Sequence, residues 1–408
     1  MSEVVFQRTK NMAYSMHSRL ASWMAEDKHE MHPLPVRSFA LAGLGSPRPK
    51  GSNSCRYTKV GLRLTRLATN MKRLVAFCIT VLIGGSYAVS QDHPGAPERA
   101  PLLLVQEIPL PNVEGRIDHF TFDAKRKRVI GAALGNNTIE VIDTFAGRDI
   151  HSITGAADPQ GVAFVGDLNK LFVANGTDGK LRIYDGDSFK LLNTVDVGED
   201  ADNVRYDPAE KKVYVAFGGD EGGGIAVIDA ATGKRLEDVA KLDAHPESFQ
   251  IATSKPIIYA NLATKAKIVV IDRTTHKVTD WPLKTGKSNY PMALDEANHR
   301  IFVVTRRPAQ LVALDADSGA TVASVPCVND ADDLYYDAGR KRIYVPGGEG
   351  FISVIQQNDA DHYQPLAKIP TTVGARTGLW YENRDRFYLA VPASSKQGAA
   401  LWVYVPED

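Results

Sequence analysis

"EDADNVRYDPAEKKVYVAFGGDEGGGIAVIDAATGK" occupies residues 199–234, and "NDADDLYYDAGRKRIYV" occupies residues 329–345. Both open on an acidic Asp-Ala-Asp. Both continue with a short apolar strand, an Asp, a turn carrying Lys or Arg, and a second apolar strand. They begin 130 residues apart. A "VID"-like element tracks the repeat between and beyond them, at Ile142-Asp143, Tyr184-Asp185, Ile228-Asp229, Ile271-Asp272 and Leu314-Asp315. Degenerate copies follow at Ile355-Gln356 and Tyr404-Val405. The first six of these positions are 42, 44, 43, 43 and 41 residues apart, so the opening pair is separated by three periods.

Each period holds four β-rich runs separated by turn residues. In the third copy they are "NVRYD", "KVYVAF", "IAVID" and "RLEDVAKLD", divided by "PAEK", "GGDEGGG" and "AATGK". A period of ~40–50 residues with four strands per unit is that of a propeller blade. Helical repeats would need apolar residues at a spacing of ~3.6, which is absent. Seven copies are countable, starting near Ile117, Pro159, Asn203, Ser248, Pro291, Asp333 and Thr377. The seventh ends at "LWVYVPED" without an outermost strand, and "LLLVQEIPLPNVEG" (102–115) matches the outer-strand stretch of the second. The expected fold is therefore all-β: one seven-bladed β-propeller over 102–408, with four-stranded blades and an N-terminal strand closing the last blade. Closure protects edges that would otherwise invite aggregation.

"LFVANGTDGKLRIYD", "VYVAFGGDEGGGIAVIDAATGK" and "RIYVPGGEGFISVI" resemble the YVTN-type (YncE-like) β-propeller repeats of bacterial secreted proteins. The resemblance spans 102–408. No blade carries the Gly-His and Trp-Asp pair of WD40 repeats, so the likeness to that class is one of architecture. Relatives implied by the resemblance include surface-layer proteins, binding propellers and electron-transfer subunits, and fold analogy does not choose among them.

The formal net charge of zero averages unlike pieces. Residues 1–70 hold 11 Lys/Arg against 4 Asp/Glu, whereas 91–408 carries a net charge of −9. An acidic body repels phosphate backbones, which argues against general nucleic-acid binding. Within 71–90, "MKRLVAFCITVLIGGSYAVS" places Lys72 and Arg73 before an apolar run, with Ala88 and Ser90 at the −3 and −1 positions of a cleavage site. That pattern is a secretory signal peptide, with an apolar core too short for stable membrane insertion. Met71 then reads as the natural start, 1–70 as a non-native or disordered extension, and 91–101 as a linker. The implied location is periplasmic or secreted. Cys55 and Cys78 fall before residue 91, so the body keeps Cys327 alone and has no internal disulfide. That thiol is expected to be a small buried hydrophobe.

In a propeller, the loops entering the inner strands gather at one mouth of the axial channel. One column of the aligned entry loops reads Asp118, Gln160, Asp202, Glu247, Tyr290, Asp332 and Thr377. The next reads His119, Gly161, Asn203, Ser248, Pro291, Asp333 and Gly378. Carboxylates gathered this way repel unless a cation, an amine or arginines offset them. Arg116, Arg205 and Arg376 lie on the same loops, and His245 precedes Glu247. Three explanations stay open: turn-forming residues bonded to their own backbone, a hard-cation site of the Ca2+ kind, or an organic-ligand pocket. Arg306 and Arg307, on a hairpin at the same face, read as solvated charge, and the glycines of 218–224 and 346–350 as flexible turns. No Gly-x-Ser-x-Gly, His-Glu-x-x-His or Cys-x-x-Cys-His motif is present, so no catalytic residue is assigned. The leading expectation is a monomeric propeller binding a small molecule, ion or protein at the channel-mouth face. The alternatives are a divalent-metal-dependent, lactonase-like hydrolase and a partner subunit of a periplasmic dehydrogenase or electron-transfer system.

Overall fold

The computed structural model describes residues 100–408. The expected extension (1–70), the signal segment (71–90) and nearly all of the linker lie outside those residues.

The described residues form seven four-stranded antiparallel sheets and contain no α-helix. The inner strands are Phe120–Asp123, Pro159–Val165, Val204–Asp207, Ser248–Ile251, Lys287–Asp295, Tyr335–Asp337 and Gly378–Tyr381. Each is followed outward by the next strands of its own blade. Neighbouring inner strands touch all round the circle, and blade 7 meets blade 1. Blade 7 takes its outermost strand from the start of the body: Leu102–Pro109 pairs with Ala400–Pro406, Leu102 opposite Pro406 and Pro109 opposite Ala400.

The burial pattern follows from stacking sheets face to face. Middle strands are covered on both faces by neighbouring blades, so Arg128–Ala133 is buried throughout. Outer strands face water, as in Leu191–Asp196. The core is accordingly seven seams, each between two blades. Phe172, Leu181 and Ile183 of blade 2 meet Val204, Val213 and Val215 of blade 3. At the closure, Tyr388, Leu401 and Val403 meet Phe120, Phe122 and Val129, with Ile108 of the closing strand between them. Each fully buried side chain of this kind contributes roughly 1.5–3 kcal/mol.

The repeated "VID" aspartates are turn formers. Asp143 Oδ1 accepts the backbone N–H groups of Phe145 and Ala146 at 2.9 and 2.8 Å, and Asp272 Oδ1 those of Thr274 and Thr275 at 2.8 and 2.9 Å. This is the side-chain mimic of a backbone turn that Asp supplies. One expected strand is shorter than its sequence suggests. In blade 3 the outer strand is Ala240–Leu242, preceded by an isolated bridge between Arg235 and Ile228. The Arg235 side chain binds Asp238 at 2.9 Å and the carbonyls of Asp196 and Val197 at 2.7 Å. Cys327 is half-buried and free, its thiol facing the Val328 carbonyl at 3.4 Å.

Candidate functional site

The Asp-Ala-Asp loops divide their work among three residues. Asp200 and Asp330 adopt the left-handed conformation, with φ of 46° and 55°, which Asp tolerates. Ala201 and Ala331 are fully buried plugs in the seams beside them. The turn then presents Asp202 and Asp332 toward the axis. Loops of adjacent blades press together here: a Cβ on Gly161 would lie 2.2 Å from the Asp202 carbonyl oxygen, so only glycine fits.

Backbone pairing corrects one column of the alignment. Asp118 and Asp202 donate their N–H groups to Ala132 and Ala216, and those residues donate back to His119 and Asn203. In blade 7 the returning N–H, from Ala390, goes to the Thr377 carbonyl. Thr377 is thus the counterpart of Asn203, and Arg376 that of Asp202. The shorter loop had hidden a one-residue shift. Thr377 is buried and donates to the Ile117 carbonyl at 2.9 Å.

The mouth residues separate into two charge groups. Asp332 is held by arginines. Arg376 Nε lies 2.7 Å from Oδ2, Arg116 Nη2 lies 3.3 Å from the same oxygen, and Arg306 binds Oδ1. Arg376 also grips Asp330, at 2.9 and 3.2 Å, and Arg116 reaches Asp118 at 3.0 Å. Asp202 is held differently. His245 Nε2 lies 3.6 Å from its Oδ2 and His119 Nε2 lies 3.8 Å from its Oδ1. Asp333 faces the other nitrogen of His119 at 3.3 Å and accepts the Gly378 N–H at 2.9 Å. Asn203 Nδ2 donates to the Glu247 carbonyl at 2.8 Å and to Asp202 at 3.2 Å, which orients its amide; it also lies 3.3 Å from His119 Nε2. Neither Asp202 nor Asp332 caps its own turn, unlike the "VID" aspartates.

Burial and these pairings set the protonation states. Burial disfavours the charge on His119, but Asp333 and Asp118 outweigh it and raise the pKa to about 10. Burial likewise opposes the charge on His245, and Asp202 with Glu247 lifts it to about 9. Burial pushes Glu247 up to about 7, against the pull of His245, and pushes Asp118 up to about 6. Asp202 and Asp333 stay below the usual carboxylate range, because hydrogen bonds and imidazolium charge outweigh their burial. Even so, Asp202 Oδ1 and Asn203 Oδ1 are buried oxygens with no hydrogen-bond donor, whereas Asp118 Oδ2 has the Arg116 guanidinium beside it.

Arg205 sits apart from this cluster, and Gln160 and Tyr290 join its edge. Arg205 lies below the mouth, on the inner strand, stacked 5.7 Å from the Phe249 ring and donating to the Val204 carbonyl. The entry loop ends at Val204, which packs into a seam, so the next residue lines the channel instead. Gln160 donates to Asp200 at 2.6 Å, at the edge of the mouth. Tyr290 lies under the Arg306 guanidinium, 3.8 Å from its ring centroid. Arg306 corrects the expectation of a solvated charge: it is half-buried and donates to the Ala331 carbonyl as well as to Asp332, while Arg307 stays exposed. Arg306, Asp330 and Asp200 belong to the site and were absent from the predicted set. Their visible signals were the hairpin position of Arg306 and the first Asp of each Asp-Ala-Asp. Beneath the mouth, a cavity of about 440 Å³ extends down the channel, with His119 and Asp333 among its lining residues and Tyr206, Tyr336 and Trp380 farther along the inner strands.

Among the described residues, Asp202, His245 and Glu247 bring potential metal-ligand atoms within 4.8 Å of one another. The site can therefore hold a cation, or accept hydrogen bonds from a donor-rich ligand. No helix among the described residues is long and apolar enough to cross a membrane.

No family model matches the chain, and no curated protein matches it. Among solved structures, the chain is similar to hydrazine synthase of Kuenenia stuttgartiensis, with a TM-score of 0.63 and 15% identity. The similarity covers 77% of this chain and 98% of that one, and it extends to the β-propeller fold.

Proposed function

We propose that the protein is an exported propeller of the YVTN type that binds a small cationic or donor-rich ligand at the channel mouth. One observation carries this reading: two buried acceptor oxygens, Asp202 Oδ1 and Asn203 Oδ1, on adjacent residues of one mouth loop, have no donor. A buried polar atom left without a partner costs roughly 1–3 kcal/mol, and a ligand that supplies donors or positive charge recovers it. Asp332 plays another part. Its oxygens are already taken by guanidinium groups, and it braces the loops around the pocket.

The test is thermal melting of the full chain with a panel of divalent cations and small amines. At a ligand concentration of ~100 times Kd the stabilisation is about 2.7 kcal/mol, which corresponds to a shift of about 5 °C for a domain of this size. Asp202→Ala should abolish the shift. If no member of the panel stabilises the wild type, the cluster is a structural plug and the reading fails.

A second reading, a metal-assisted hydrolase, is favoured by the grouping of Asp202, His245 and Glu247 as potential ligands, with His119 beside Asp202 as the candidate proton carrier. Lactone and ester turnover by the metal-loaded protein, lost in His119→Gln while the metal stays bound, would establish it.

A further inference from the structure

His245 is mounted as metal-binding imidazoles are mounted. Its Nδ1 lies 3.0 Å from the Gly218 carbonyl oxygen, an acceptor, so Nδ1 carries a proton and Nε2 turns into the mouth. Gly218 can offer that carbonyl because its φ of 138° suits glycine and its strand crowds Gly223. Anchoring of one ring nitrogen by a carbonyl or carboxylate is the outer-shell feature that orients a ligating histidine. His119 repeats the arrangement on the opposite side of Asp202, with Nδ1 against Asp333.

The interior of this group is under-bonded. His245 Nε2 and Asp202 Oδ2 stand 3.6 Å apart, too far for a hydrogen bond. Two ligands at about 2.1 Å from one zinc ion, at the tetrahedral angle, lie about 3.4 Å apart. Asp202 is 7% exposed, yet its Oδ1 has no donor, and the adjacent Asn203 Oδ1 is buried and equally unpartnered. Glu247 supplies the third ligand atom.

We infer that Asp202, His245 and Glu247 form a three-ligand site for a divalent transition ion such as zinc, with a coordination position left open for solvent or substrate. The inference rests on the proposal that the mouth binds a cation or donor-rich ligand, and it specifies the occupant. It also departs from the Ca2+ expectation. Calcium takes six to eight oxygen ligands, whereas imidazole with two carboxylates suits zinc and its neighbours. Three protein ligands and an open position are the pattern of zinc sites that do chemistry rather than hold a fold.

Calorimetric titration of the full chain, stripped with EDTA, tests this with zinc chloride and separately with calcium chloride. One equivalent of zinc should bind with micromolar or tighter Kd, and calcium should give no binding at the same concentrations. Loss of an outer-shell partner alone typically weakens a metal site ~10–100-fold, so His245→Gln and Glu247→Gln should each weaken zinc by more than that. His362→Ala, at an exposed histidine paired with Asp359, should leave zinc binding unchanged. Glu247 is only partly buried, so Glu247→Gln decides the matter if His245→Gln fails to fold. Zinc that does not bind, or that binds both variants as it binds the wild type, overturns the site. If calcium or an amine stabilises the protein and zinc does not, the mouth still binds a ligand and this inference alone falls.

Discussion

Asp332 is surrounded by Arg116, Arg306 and Arg376, and its side chain is 10% exposed. Removing Asp332 deletes its charge-assisted bonds, worth about 1.5–3 kcal/mol each, while the arginines keep Asp118 and Asp330 as partners. Asp332→Ala is therefore expected to lower the unfolding free energy by about 3 kcal/mol in urea, with no ligand present. A loss below about 1 kcal/mol would show that the guanidinium groups find water instead. At this scale the sequence named most of the participants, because entry-loop residues recur at a fixed place in each period. Their pairing was not legible. Arg116 and Asp332 are 216 residues apart, and no local pattern joins them. Arg205 was misplaced by a single strand position, since whether a residue ends a loop or begins a strand depends on what its neighbour packs against.

Blade 1 carries an acidic pair away from the mouth. Asp149, in the outer strand, lies beside Glu140, which accepts hydrogen bonds from the Thr138 and Ser152 hydroxyls. Partial burial and then the Glu140 charge push Asp149 up to about 7, against a bond from the His151 N–H. The folded state thus holds this proton more tightly than the unfolded chain, where an Asp titrates near ~3.9. Stability falls as pH rises between those two values, because the unfolded state releases the proton first. Asp149→Asn should consequently melt higher than the wild type at pH 8 and equally at pH 4. A variant equal to the wild type at both pH values would refute the assignment. The strands themselves were readable from alternating apolar runs and the Asp and Gly turns. The outer strand of blade 3 is the exception: its pairing is broken into the Arg235–Ile228 bridge and Ala240–Leu242, a break that apolar patterning does not register.

The ring is closed by pairing residues from opposite ends of the body. Deleting Leu102–Pro109 would remove Leu102 and Ile108 from two seams and expose the edge of Ala400–Pro406. An uncovered edge of that length templates pairing with other chains. The truncated protein is expected to aggregate or to melt well below the parent, as read by light scattering during a thermal ramp; unchanged, monomeric melting would mean that the ring does not depend on this strand.

What the sequence determined by itself was the repeat: seven blades, four strands in each, the turn aspartates, and the closing strand supplied from the front of the body. Those features are written in short-range periodicity, where apolar spacing and turn chemistry act over a few residues and recur every blade. What only the tertiary structure decided was the electrostatic sorting at the mouth. There Asp332 went to the arginines, Asp202 to the histidines and Glu247, and Arg205 to the channel. That sorting follows from which loops the closed ring sets side by side around its axis, a matter of distance in space between residues far apart along the chain.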